Sequence, residues 1–158
     1  MSSFTEKLSI TQVCPRPRRW RLDKSFRFHI GDENSKTWVD VLEGFECDGG
    51  SLPRAVWWLE SPIGQGASAF FMHDILYQSE AAPRVQCDMM MLEGLKVLQF
   101  GWTRRSIIYH QVRLWGGFVW SKHTRESIAA ARPFIRTSWE LPPLPEQLPV
   151  DGPPLMGV

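Results

Sequence analysis

The fold follows from residues 70–100, which read FFMHDILYQSEAAPRVQCDMMMLEGLKVLQF. Apolar residues recur at helical spacing on both sides of Pro83, whose restricted φ suits the first turn of a helix. The pattern predicts one helix over residues 68–79 and a second from Pro83 to about Phe100, where Gly101 ends it. We expect these two helices to pack antiparallel.

An aspartate lies in the apolar stripe of the second helix. One face of that helix carries Asp88, Met91, Leu92, Leu95 and Leu98. A lone buried carboxylate is strongly destabilising unless a donor or a cation meets it, so Asp88 should have a partner. The alternative is an N-cap or first-turn acid favoured by the helix dipole, which applies if the helix begins near Gln86.

The partner that the sequence offers is His73, within the apolar run of the first helix. His73 and Tyr77 are one turn apart and share a face, while Asp74 points in a neighbouring direction. In an antiparallel pair, Asp88 can accept the proton of one His73 ring nitrogen and leave the other nitrogen as a base. The alternative is that His73 is a core histidine with no chemical role.

Asp74 is not explained by the same pair. A carboxylate beside an imidazole suits a hard cation, and calcium takes oxygen ligands from carboxylates, backbone carbonyls and waters. The loop that begins Asp48-Gly49 supplies one more carboxylate and a backbone that a ligand can approach closely. The residues therefore predict a Ca2+ site that includes Asp74, Asp48 and Gly49. Alternatively, Asp48-Gly49 forms a β-turn with an Asx hydrogen bond.

Two family resemblances rest on these residues. The pattern His73-Asp74-x-x-Tyr77, followed by Asp88 on the next helix, resembles the catalytic helix pair of the phospholipase A2 superfamily. A longer pattern over residues 38–120 resembles a family of uncharacterised proteins of tailed bacteriophages. Its parts are Gly44-Phe45, Asp48-Gly49-Gly50-Ser51-Leu52-Pro53, His73-Asp74-Ile75-Leu76-Tyr77, Cys87-Asp88 and Val112-Arg113-Leu114-Trp115-Gly116-Gly117.

The phospholipase resemblance implies a role for each site residue. His73 would be the base that activates water, Asp88 the acid that orients it, and Tyr77 the hydroxyl that supports the pair. Asp74 would be the calcium carboxylate and Asp48 the ligand from the loop. The implied activity is calcium-assisted hydrolysis of a phospholipid ester, in which the cation polarises the carbonyl that water attacks.

Composition is that of an ordinary globular chain. Its 158 residues suit one domain, with 43% hydrophobic and 22% charged residues. A formal net charge of +1 gives no electrostatic case for nucleic acid. The apolar runs are too short for a transmembrane segment, and the first residues do not form a signal peptide. The resemblance to proteins of tailed bacteriophages then implies a location in the virion or the host cytoplasm.

The remaining segments complete an α+β prediction with a single domain over residues 1–140. Period-two alternation predicts a small antiparallel sheet within residues 1–46. A third helix should begin near Thr103 and end at Gly116-Gly117, and residues 121–132 predict a fourth. Four apolar residues of the third helix should face inward: Ile107, Ile108, Val112 and Trp115.

The last segment, residues 141–158, is a tail that contains six of the 12 prolines. It has neither helical nor strand period, and its leucines recur among the prolines as in an extended strap. We expect the tail to lie on another subunit or another virion protein. It supports an alternative function, that of a non-catalytic virion or tail-associated structural protein that keeps the His73–Asp88 pair as a structural feature.

Other signals are weaker. Six basic residues fall within positions 16–27, with only Asp23 opposing, and could hold phosphates or form a solvated strand face. Trp57-Trp58 could anchor a membrane interface or pack in the core. Ser51 and Ser68 lack the context of a nucleophile elbow, which argues against a serine hydrolase.

Overall fold

A computed structural model of the protein describes residues 1–16, 18–32, 34–47 and 64–146. Antiparallel strands at the N-terminus are followed by four helices within that part, which confirms the α+β class. The strands are β1 (Ser3–Phe4), β2 (Ile10–Pro15), β3 (Arg18–Leu22), β4 (Phe26–His29), β5 (Trp38–Val41), β6 (Glu46–Cys47) and β7 (Ile135–Thr137). The helices are α1 (Ala67–Ser79), α2 (Arg84–Val97), α3 (Trp102–Trp120) and α4 (Arg125–Ala131). Trp57-Trp58 lie outside the described residues.

The strands form two antiparallel sheets, one in the order β1-β4-β5-β7 and one in the order β2-β3-β6. Alternation explains the first sheet, since Phe26 and Phe28 are buried on β4 and Val39 and Val41 on β5. Its last strand, β7, follows the helices in the chain, and Ile135 pairs with Val41. The sheet is thus completed by a strand from outside the predicted N-terminal segment.

Helix α1 is the central element of the core. Eleven of its 13 residues are buried, because α2, α4 and strands of the four-stranded sheet pack around it. A helix that is apolar on all sides suits such a position. It ends at Ser79, and the next residue, Glu80, adopts a left-handed conformation with φ of 47°. The Glu80 N–H donates to the Tyr77 carbonyl and the Ala81 N–H to the Leu76 carbonyl, which closes the turn into α2.

Helices α1 and α2 pack antiparallel, as predicted. Ala69, near the start of α1, contacts Gly94, near the end of α2. His73, one turn further along α1, contacts Asp88, which lies earlier in α2. The second helix ends at Val97 rather than near the predicted Phe100, and Gln99 beyond it takes a left-handed conformation with φ of 62°.

Helix α3 differs from its prediction in length and in rotation. It runs through Gly116-Gly117, which were predicted to end it, and continues to Trp120. The reason lies in packing: a methyl group in place of the Gly116 hydrogen would lie only 2.6 Å from the Tyr77 hydroxyl oxygen. Gly116 therefore serves close helix approach rather than helix termination. Of the four residues predicted to face inward, two are buried and two are exposed: Ile108 and Val112 inside, Ile107 and Trp115 outside.

The segment after β7 contacts its own domain over residues 139–146. The Trp139 indole N–H donates to the Ala81 carbonyl oxygen at 2.8 Å, and Leu141 packs against the core. The Arg132 guanidinium donates to the Pro142 carbonyl at 2.6 Å. The first part of the predicted tail, residues 141–146, has no regular secondary structure and contacts its own domain, and residues 147–158 lie outside the described part.

None of the described helices combines the length and the apolarity that crossing a bilayer requires.

Helix α4 begins later than predicted, at Arg125, because Thr124 and Ser127 form a capping box there.

Candidate active site

Asp88 is completely buried on α2 and receives three side-chain hydrogen bonds. His73 Nε2 lies 2.9 Å and the Tyr77 hydroxyl 2.5 Å from Asp88 Oδ1, while Arg113 Nη1 lies 2.6 Å from Oδ2. The predicted contact between His73 and Asp88 is confirmed. Asp88 is the fifth residue of α2, past the first turn, so the N-cap alternative is wrong. Three donors, one of them a cation, supply what burial of this carboxylate requires.

The geometry assigns the two ring nitrogens of His73 to different tasks. An ionised carboxylate only accepts hydrogen bonds, so Nε2 carries the proton that bonds to Asp88. In the neutral ring, Nδ1 then keeps the lone pair of a base. Tyr77 lies one turn further along α1, with its ring centroid 4.1 Å from that of His73. Both side chains approach the same Asp88 oxygen from α1, which holds the imidazole in one orientation.

Arg113 is the site residue that sequence reasoning missed. It lies on α3, and its side chain is 30% exposed while the carboxylate that it pairs with is buried. Arg84, the first residue of α2, donates to the Arg113 carbonyl oxygen at 3.1 Å and joins the two helices. The available signal was indirect: a carboxylate buried next to a neutral histidine still lacks a cation, and α3 carries three arginines.

Burial and charge set the protonation states of the group. Burial lowers the pKa of His73 below its usual value, although the hydrogen bond to Asp88 acts to raise it. Burial alone would raise the pKa of Asp88, but hydrogen bonds from His73, Arg113 and Tyr77 together lower it. Burial, and next the hydrogen bond to Asp88, raise the pKa of Tyr77. At neutral pH the site therefore holds a neutral imidazole, a carboxylate and a protonated phenol.

The predicted calcium ligands are placed only in part. Asp74 is buried on α1 directly after His73. Asp48 and Gly49 lie outside the described residues. Within the part of the chain that the structure describes, no three His, Cys, Asp or Glu side chains are grouped as a metal site would need. Described side chains alone do not supply the donors of a calcium site.

Three surface cavities lie away from His73. One of about 580 Å³ lies between the first strands and the start of α1, lined by Phe4, Gln65 and Leu98 among others. A second of about 460 Å³ lies at α4 beside Phe45, and a third of about 320 Å³ at the turn between α1 and α2. His73, Tyr77 and Asp88 line none of these three cavities.

Among the basic residues of positions 16–27, Arg19, Lys24 and Arg27 each contact an acidic residue. Arg27 makes a bidentate contact with Asp40, at 2.6 and 2.9 Å. Lys24 Nζ lies 2.9 Å from the Glu6 carboxylate, and the Arg19 guanidinium lies 3.5 Å from the Glu46 carboxylate. This pairing favours the solvated strand face over a phosphate site.

Cys87, next to Asp88, is a core residue. Burial raises the pKa of its thiol to about 12, and the thiol donates to the Ala82 carbonyl. A thiol in this state is not a nucleophile at neutral pH.

Comparison with known proteins gives one family. A family model described as "Protein of unknown function (DUF1353)" matches residues 20–112, more than half of the chain. The matched range contains His73, Tyr77 and Asp88 and ends one residue before Arg113. No curated protein and no solved structure matches the chain.

Proposed function

The chain belongs to this family of proteins of unknown function, and we propose that its His73–Asp88 pair is the catalytic base of an ester hydrolase acting on a lipid or phospholipid. The observation that carries the proposal is the 2.9 Å contact between His73 Nε2 and Asp88 Oδ1. This contact leaves Nδ1 as the proton acceptor of a neutral imidazole, which is the state that a general base needs at neutral pH. The resemblance of the helix pair to phospholipase A2 supplies the substrate class.

The proposed step needs only water and the imidazole. His73 Nδ1 takes a proton from water as the water oxygen forms a bond to the ester carbonyl carbon. The bond to the alcohol oxygen then breaks, and the imidazolium returns the proton to that oxygen, which yields an acid and an alcohol. Asp88 stabilises the imidazolium while Tyr77 and Arg113 hold the carboxylate in place and keep it ionised. No nucleophilic side chain is required.

Calcium is a second part of the proposal. Asp74 would provide one carboxylate ligand, with Asp48 and the Gly49 backbone as further donors. When bound, the cation would stabilise negative charge on the ester carbonyl oxygen. Calcium should raise the melting temperature of the native chain and not that of Asp74→Asn. An equal shift in both proteins, or no shift in either, would exclude Asp74 as a ligand.

Replacement of the base tests the hydrolase proposal. Release of fatty acid from phospholipid vesicles should fall by about 100-fold or more in His73→Gln, since general-base catalysis contributes about that factor. His110→Gln, at an exposed histidine of α3, is the matched control and should keep full activity. Circular dichroism checks that both variants are folded. Equal rates in the native chain and His73→Gln would exclude His73 as the base.

A second candidate is a structural role in a phage virion or tail, with other virion proteins as partners. It is favoured by the complete burial of Asp88, whose contacts join three helices. In this case the network stabilises the fold, and the tail of residues 141–158 contributes to assembly. A chain that hydrolyses no lipid ester, but forms a complex that truncation at residue 146 weakens, would support this candidate over the hydrolase.

A further inference from the structure

The outer face of α3 is apolar and exposed to solvent. It consists of four residues: Ile107, Leu114, Trp115 and Phe118. The fractional exposures of Leu114, Phe118 and Trp115 are 75%, 64% and 57%. These positions follow a spacing of i, i+7, i+8 and i+11, on the side of the helix opposite the buried Gly116. By helical position Gln111 falls within the same stripe, between Ile107 and Leu114 along the helix. An exposed helix face with four large apolar residues on a domain surface marks an interaction site.

The helix that carries this face, together with its flanking residues, contains basic but no acidic side chains, and two of these cations pair with carboxylates of α2: Lys96 with Glu93 and Arg113 with Asp88. Residues 94–125 contain six of the 18 basic residues and no acidic residue, although the whole chain has a net charge of only +1. Arg104 lies one turn before Ile107, with its guanidinium 4.7 Å from the Phe100 ring centroid, and Lys122 follows the end of α3 by two residues, so the two basic residues lie at opposite ends of the outer face. Lys122 Nζ lies 3.8 Å from the centroid of the Phe118 ring, so the cationic head sits beside the apolar stripe.

We propose that the outer face of α3 docks on the surface of an anionic lipid bilayer. A helix with Trp, Phe and Leu on one side and basic residues at its margins is suited to lie in the plane of a membrane interface. The apolar side chains would enter the boundary between headgroups and acyl chains, while Arg104 and Lys122 would reach lipid phosphates. The side chains protrude from a convex helix, so a flat and deformable surface can contact all of them at once.

A second copy of the chain fits this face less well. Two α3 helices packed face to face would bring basic residues together with no acidic residue of α3 to oppose them. The proposal also does not depend on hydrolysis, because the outer face lies on the other side of α3 from Gly116, which contacts Tyr77.

Vesicle co-sedimentation tests the proposal. The native chain should bind vesicles of phosphatidylcholine mixed with phosphatidylglycerol at least about tenfold more tightly than vesicles of phosphatidylcholine alone, and salt should weaken the binding. Leu114→Ser and Phe118→Ser should each weaken binding to the mixed vesicles by about tenfold, since each removes one inserted apolar group. Met89→Ser, at a 58% exposed apolar residue of α2, is the matched control and should bind like the native chain. Since all three positions are exposed, the melting temperatures should be unchanged.

Three results would overturn the proposal. The first is no binding to the mixed vesicles at low salt. The second is salt-dependent binding that Leu114→Ser and Phe118→Ser leave unchanged, since basic residues alone would then explain it. The third is a dimer in sedimentation velocity that Leu114→Ser converts to monomer, since the outer face would then be an interface between two copies.

Discussion

Replacing Asp88 with alanine should lower the free energy of unfolding by about 3–5 kcal/mol. That is the usual effect of removing one partner from a buried ion pair while the others remain. Asp88 is completely buried and is the common acceptor of His73, Tyr77 and Arg113, so a single substitution breaks all three contacts.

The magnitude can be divided among the three donors. His73 and Tyr77 are buried, and each donor left without an acceptor costs about 1–3 kcal/mol. Arg113 is 30% exposed and can turn to water, so its share is smaller. Asp88→Asn should lose less, because the amide keeps the shape and one acceptor oxygen. If the hydrolase proposal is correct, Asp88→Asn should still reduce activity strongly by favouring the wrong tautomer of His73.

Urea unfolding followed by circular dichroism measures this change, and the melting temperature provides a second measure. For a domain of this size each kcal/mol shifts the melting temperature by about 2–4 °C, so Asp88→Ala should melt about 6–20 °C lower. Met89→Ala, at a 58% exposed residue next to Asp88 on the same helix, is the control and should change stability by less than about 1 kcal/mol. If Asp88→Ala is as stable as Met89→Ala, the carboxylate is exposed in solution and the description of a buried network is wrong.

Two further predictions concern packing and pH. Gly116→Ala should destabilise the protein although alanine favours helix, because the new methyl group would lie 2.6 Å from the Tyr77 hydroxyl. In Gly117→Ala the nearest contact of the new methyl group is 3.8 Å away, so the free energy of unfolding, measured by thermal unfolding, should rise by up to about 1 kcal/mol. Stability should also fall in two stages on acidification. His73 has a lowered pKa in the fold, so the unfolded chain takes up this proton first as pH drops below about 6.5. Asp88 also has a lowered pKa in the fold, so its contribution is present above about pH 3.9 and is lost as pH falls through the folded pKa.

Each of these has a contrary outcome. Equal stability of the two glycine variants would mean that α3 does not approach Tyr77 closely. A plot of melting temperature against pH that is unchanged in His73→Gln between about pH 5 and 6.5 would mean that this histidine is solvated in the native state.

The contact between His73 and Asp88 could be predicted from the sequence because it depends on local features. Both residues lie on helices with strong apolar patterns, and a short turn at Pro83 joins these helices. Helical spacing places each residue on its face, and burial of a carboxylate requires a partner. The antiparallel strands of the N-terminal region could be predicted for the same reason, since alternation in β4 and β5 is visible within a few residues.

Only the tertiary structure decided which residues from distant segments complete the Asp88 network and the four-stranded sheet. Arg113 reaches Asp88 across 25 positions, and its direction depends on the rotation of α3 about its axis. That rotation is set by the close approach of Gly116 to Tyr77. From the sequence alone, Gly116 was predicted to end the helix. The same rotation turns Trp115 outward. Strand β7, which follows the four helices in the sequence, pairs with β5 in the same way. Its pairing could not be predicted locally, because it depends on where the packed helices place the chain after α4. Periodicity determines which face of an element is apolar, but the face that is finally buried depends on what packs against it.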